Sequence, residues 1–226
     1  MMRRTELAKM IDHTLLGPTA NTDGVRELCE EAIRFGVASV CVNPCHATLA
    51  RAMVAETPVK LCIVVGFPHG MSTAEVKAFE AQKAIAAGAE ELDMVANIAA
   101  LRAGDFATVL ADIRGVSAAA AAAPRPVTVK VILETALLEE DQKVAGAILA
   151  KAAGADFVKT STGFGPGGAT VEDVRLLRRT VGPAMGVKAA GGIRDADTAL
   201  AMIDAGATRI GASRTAEILA GIPDSG

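Results

Sequence analysis

Short apolar runs recur along the chain, separated by longer stretches in which apolar residues return every three or four positions. The runs are IDHT from Ile11, SVCVN from Ser39, KLCIVVG from Lys60, ELDMVA from Glu91, TVKVILE from Thr128, FVKTS from Phe157, GVKAA from Gly186 and RIGAS from Arg209. Their length and β-branched content predict strands. The stretches between them predict helices over 23–35, 44–55, 73–87, 105–122, 139–153, 170–180 and 195–205, with a last helix capped by Ser213. The alanine run at 118–123 reads as a helix end, closed by Pro124 and Pro126.

The joints repeat as well. RFGVASVCV, AAGAEELDMV, AAGADFVKT and DAGATRIGA each place a glycine between a helical stretch and the next apolar run. Gly36, Gly88, Gly154 and Gly206 therefore fit the left-handed position just past a helix. About eight strands alternating with helices over 226 residues predict an α/β chain, a (β/α)8 TIM barrel in a single domain spanning 1–226. A doubly wound open sheet is the alternative, but no G-x-G-x-x-G follows a strand.

Composition narrows the function. The chain is 51% hydrophobic but only 3% aromatic, with no Trp or Tyr, so the core is aliphatic. A net charge of -3 leaves no basic footprint for nucleic acid, and aromatic platforms for single strands are lacking. No window approaches a membrane span, and Glu6, Lys9, Asp12 and His13 break up the N-terminal segment as a signal peptide. Cys29, Cys41 and Cys62 fall in predicted elements and read as buried thiols, which argues for the cytoplasm. Cys41, Cys45 and His46 match no common zinc spacing, so no metal is expected.

Polar groups interrupt the runs where only apolar ones are expected: Asp93, Lys130, Lys159 and Lys188. An unpaired charge in an apolar interior is costly, so four such groups in one barrel are expected to share a polar cavity. Lys159 and Lys188, on the sixth and seventh strands, should be neighbours. Two adjacent ammonium groups disfavour each other's charge, and a neutral lysine can attack a carbonyl. Asp93 can relay protons, with Lys130 between. The alternative is an inert salt-bridge plug, which one acid explains poorly against three lysines; Glu134 at the end of the fifth strand could supply a second. Glycines after the last three strands, at 163–168, 191–192 and 211, suit a phosphate site, with Ser213 at a helix start. A nucleophilic lysine beside a phosphate site implies a phosphorylated carbonyl substrate and carbon–carbon cleavage, without choosing among the lysines.

The segments IDHTLL, VCVNP, VVGFPHG, ELDMV, VKVILET, FVKTSTGF, VKAAGGIR and GASR, in this order, resemble the deoxyribose-phosphate aldolase family along nearly the whole chain. The resemblance implies a metal- and cofactor-independent aldolase that interconverts 2-deoxyribose 5-phosphate with glyceraldehyde 3-phosphate and acetaldehyde. It implies Lys159 as the imine-forming nucleophile. Lys188 would be the neighbour that favours its neutral form, and Asp93 the proton donor and acceptor. Lys130, Cys41 and Asn43 would line the pocket, and Gly163, Gly191, Gly192, Gly211 and Ser213 would hold the phosphate. Such proteins occur as monomers, dimers and tetramers. Many carry a C-terminal tyrosine that assists proton abstraction, whereas this sequence ends at 221–226 without any tyrosine. Either such a tail lies outside this sequence or proton transfer rests on Asp93, Lys188 and water. Arg214, where some relatives have serine, is expected to face solvent. None of the three histidines is expected to act in catalysis.

Overall fold

The computed structural model describes residues 2–223; the last three positions of the C-terminal segment, 224–226, lie outside them. Eight parallel strands close into a barrel in chain order: β1 (Ile11–Leu15), β2 (Ser39–Val42), β3 (Lys60–Val65), β4 (Glu91–Val95), β5 (Thr128–Ile132), β6 (Phe157–Lys159), β7 (Gly186–Ala190) and β8 (Arg209–Ala212). The barrel closes where β8 pairs with β1, Ile210 opposite Ile11. Around it run α1 (Arg4–Ala8), α2 (Thr22–Phe35), α3 (Ala47–Val54), α4 (Ala74–Ala86), α5 (Ile98–Ala103), α6 (Phe106–Ala121), α7 (Glu140–Ala152), α8 (Val171–Val181), α9 (Ala196–Asp204) and α10 (Thr215–Ala220).

Local chemistry sets the helix ends. Asn21, Thr73, Asp105, Thr170 and Asp195 each accept a hydrogen bond from a backbone N–H of the first turn. Each such cap stabilises its helix by about 1 kcal/mol. Gly36, Gly88, Gly154 and Gly206 all have positive φ, as their place at the joints predicts. The core lies between strands and helices. On β4, Leu92 and Met94 join that outer layer while Glu91 and Asp93 turn into the barrel. Inside, a small apolar cluster of Leu16, Cys41, Cys62 and Val64 occupies the side of β1–β3; charged groups take most of the rest.

Some expectations need correction. The short helices α1 and α5 give no clear period and were not expected. The helix expected from Pro44 opens as a 3₁₀ turn, Pro44–His46, before α3. β6 ends at Lys159, short of the expected Ser161. Beyond it the Thr160 hydroxyl donates to the Ala190 carbonyl at 3.0 Å and accepts from the Ala190 N–H at 3.1 Å, which ties the chain to β7 by side chain. Finally, the cap position of α10 is Arg214, not Ser213, and it makes no side-chain cap bond. Ser213 belongs to the loop before the helix, so the expected phosphate site keeps its glycines but not a helix start at Ser213.

Candidate active site

The strand register builds the site. Lys159 on β6 lies directly opposite Lys188 on β7, and Asp93 on β4 lies opposite Lys130 on β5. Both Lys159 Nζ and Lys188 Nζ donate to the same oxygen, Asp93 Oδ2, each at 2.7 Å. Lys130 Nζ donates to the other, Oδ1, at 2.8 Å. The structure thus brings together the four charged residues that the strand pattern singled out.

It also adds three that were missed. Asp12 on β1 pairs with Lys188, with Lys130 at 3.4 Å and with Arg209 at 2.6 Å. Glu91 pairs with Lys130 at 2.6 Å and with Arg209 at 2.9 Å. The count of one acid against three lysines is therefore corrected: among the described residues, Asp12, Glu91 and Asp93 face Lys130, Lys159, Lys188 and Arg209. The signal was present in the two-residue period of a strand, since Glu91 shares a face with Asp93 and Arg209 with Gly211. Glu134 is not part of this cluster; its carboxylate accepts from Thr162 in the loop after β6.

Burial and charge act against each other here. Burial alone would raise the Asp93 carboxyl, but the Lys130, Lys159 and Lys188 ammonium groups outweigh it and hold the group well below the ordinary carboxylate range. Burial would lower Lys130 and Lys188, yet Asp12 and Asp93 together hold both above the usual lysine value. Both are favoured in the charged form. Lys159 differs in its contacts: it meets one carboxylate oxygen, already shared with Lys188.

Above the network opens a cavity of about 320 Å³ at the C-terminal ends of the strands. Lys159 lines it, together with the expected Gly163, Gly191, Gly192, Gly211 and Ser213. Thr162, Phe164 and Arg194 also line it and were not expected. At the heart of the loops Gly191, φ 89°, packs against Gly168, whose Cβ would fall 2.3 Å from the Gly191 carbonyl oxygen. Only glycine allows these two turns to meet there.

Other expected pocket residues sit deeper or aside. Lys130 and Lys188 are fully buried beneath the cavity, and Asp93 with them. Lys130, on β5 between β4 and β6 as its strand predicts, lies one layer below Lys159, because its register partner on β6 is Phe157. Cys41 is fully buried in the apolar cluster and is not on this cavity's wall. Asn43 Nδ2 donates to the Leu16 carbonyl at 3.1 Å and so holds the loop after β1. Cys41 groups with Cys62 and Asp93, not with Cys45 and His46. His13 bridges Glu31 and Thr215 as a structural link between α2 and α10, and Arg214 faces Glu217 on the surface at 3.8 Å.

Comparison with known proteins agrees with this architecture. The profile of the DeoC/LacD family aldolases matches residues 7–222. A deoxyribose-phosphate aldolase of Thermoanaerobacter sp. is 54% identical over 94% of this chain and 95% of its own length. One from Enterococcus faecalis is 53% identical over 98% of this chain and 99% of its own. The solved structure of the deoxyribose phosphate aldolase of Aeropyrum pernix, described as tetrameric, aligns with a TM-score of 0.88 at 36% identity, over 96% of this chain and 91% of that one. The chain belongs to the DeoC/LacD family of aldolases.

Proposed function

We propose that the chain cleaves 2-deoxy-D-ribose 5-phosphate reversibly to D-glyceraldehyde 3-phosphate and acetaldehyde through an imine on Lys159, as a step in deoxyribose phosphate breakdown. One observation carries the assignment of the nucleophile. Of the three clustered lysines, Lys159 alone lines the cavity, and it has the smallest share of the carboxylates. Lys130 and Lys188 each pair with two or more carboxylates, whereas Lys159 meets Asp93 alone, so it is the amine with the fewest ion pairs to break when it reaches the substrate.

The steps follow from that. The neutral Lys159 amine attacks the aldehyde carbon, C1, of the open-chain sugar, and loss of water leaves an iminium. A base removes the proton of the C3 hydroxyl, and the C2–C3 bond breaks. Its electron pair moves into the iminium to give an enamine, while C3 leaves as the aldehyde of glyceraldehyde 3-phosphate. Protonation of the enamine at C2 and hydrolysis of the imine release acetaldehyde and restore the amine. Asp93 lies 2.7 Å from both Lys159 and Lys188. It can pass protons between them and, through water, to the substrate. The glycine-lined wall supplies backbone N–H groups for the phosphate.

The two relatives named above support this substrate, and the A. pernix homologue supports assembly as a homo-oligomer, a dimer or tetramer. A lysine-dependent aldolase or transaldolase for another sugar phosphate is the nearest rival; a silent phosphosugar-binding barrel is the other. Steady-state assays of acetaldehyde release across a panel of sugar phosphates separate them. The proposal predicts the highest kcat/KM with deoxyribose 5-phosphate. Preference for another sugar, or phosphate binding without turnover of any, contradicts it.

A further inference from the structure

Glu134 follows β5 in the left-handed conformation, φ 58° and ψ 62°, and is the one residue other than glycine with positive φ among the described residues. A side chain with a Cβ is disfavoured there. The carboxylate is also buried, 2% exposed, while the barrel's cations pair with Asp12, Glu91 and Asp93 instead. Strained backbone and a buried anion both cost stability, and such costs concentrate where a function needs the geometry.

The partners of Glu134 show what the geometry achieves. Its two oxygens accept from the Thr162 N–H at 3.4 and 3.3 Å, and Oε2 also accepts from the Thr162 hydroxyl. Thr162 Oγ1 in turn accepts from the Phe164 N–H at 3.0 Å. Gly165 lies flat against the carboxylate: a Cβ there would be 2.9 Å from Glu134 Cδ. One side chain therefore fixes the loop from Thr162 to Gly165, and Thr162, Gly163 and Phe164 all line the cavity of Lys159. The carboxylate bonds no lysine of the network, so its action on the substrate passes through the loop.

We propose that Glu134 is a positioning residue that clamps the loop after β6, so that the Gly163 backbone is presented to the substrate phosphate, and that it thereby sets the preference for phosphorylated over unphosphorylated sugars. This rests on the sugar-phosphate reading above.

Glu134→Gln keeps the size but turns an N–H₂ toward the Thr162 donors, and Thr162→Val removes the hydroxyl at constant shape. The readout is the ratio of kcat/KM for deoxyribose 5-phosphate to that for deoxyribose, with the inhibition constant of inorganic phosphate. Each variant is expected to lower the ratio and weaken phosphate inhibition on the order of tenfold, the effect of losing one charge-assisted hydrogen bond. The double variant should lose little more than the worse single one, because both break the same clamp, and Thr162→Ser should restore most of the ratio. A parent-like ratio and phosphate constant, with only the thermal midpoint lowered, would overturn the proposal. Should Glu134→Gln not fold, Thr162→Val and Thr162→Ser decide the matter alone. A parent protein that fails to cleave deoxyribose 5-phosphate would sink the sugar-phosphate reading instead; calorimetric phosphate affinity, weaker in the variants or unchanged, would then still support or overturn the clamp.

Discussion

A single oxygen, Asp93 Oδ2, receives hydrogen bonds from both Lys159 and Lys188, and much of the proposed chemistry turns on that sharing. The neighbouring ammonium groups are not left to repel one another; an acid sits between them. Replacing Lys159 by Ala is expected to lower kcat/KM by roughly 10³-fold or more, because among the described residues no other amine lines the cavity; near-parental activity in a steady-state assay would contradict this. Asp12→Asn leaves Lys188 and Arg209 short of a buried partner and is expected to destabilise the fold by about 3 kcal/mol in urea titrations. A change below about 0.5 kcal/mol would mean that the network is slack. The pH dependence has a definite sign. The Asp12 and Asp93 carboxyls lie below their ordinary 3.8, so their contribution is complete above that pH and lost as pH falls through the depressed values. Lys130 and Lys188 lie above 10.5, so theirs is complete below that pH and lost as it rises. Lys188→Met should therefore show a shallower loss of unfolding free energy above pH 10.5 than the parent; an equal slope would exclude Lys188 as a source of it.

At the scale of elements, the barrel was legible because the same joint recurs. Gly36, Gly88, Gly154 and Gly206 each end a helix and admit a strand, and all four adopt the conformation their place predicts. The joints differ in what surrounds them, which gives a graded prediction. A Cβ at Gly36 meets nothing within 4 Å, so Gly36→Ala should cost only the left-handed backbone, about 1–2 kcal/mol. A Cβ at Gly206 would lie 2.7 Å from Arg178 Cγ, and Arg178 Nε donates to the Gly206 carbonyl. Gly206→Ala should cost measurably more, and equal melting shifts for the two would contradict this. What the sequence hid were short or side-chain-determined features. α1 and α5 run five and six residues, too few for a period to show. The end of β6 depends on where the Thr160 hydroxyl reaches across to β7, and no pattern along one strand reveals its neighbour's backbone.

The whole molecule explains why the site was only half legible. Asp93, Lys130, Lys159 and Lys188 stood out as charges inside apolar runs, whereas Asp12, Glu91 and Arg209 sit at or near strand starts, where charge is ordinary. Closure of the barrel alone puts Asp12 on β1 beside Lys188 on β7, 176 positions away. Depth was hidden too, since register, not sequence order, puts Lys130 below Lys159. The outer surface leaves Met71, in the loop before α4, and Val76 and Phe79, on α4, more than half exposed, an apolar patch suited to the proposed homo-oligomer. Light scattering should give a multiple of the 23.0 kDa chain mass, and a monomer at micromolar concentration would contradict that assembly. The central claim is more specific: one lysine of three carries the imine. Incubation with deoxyribose 5-phosphate, reduction with borohydride and peptide mapping by mass spectrometry test it directly. The account predicts a stable adduct on Lys159, abolished in Lys159→Ala; an adduct on Lys130 or Lys188, or none from a folded protein that binds phosphate, would contradict it.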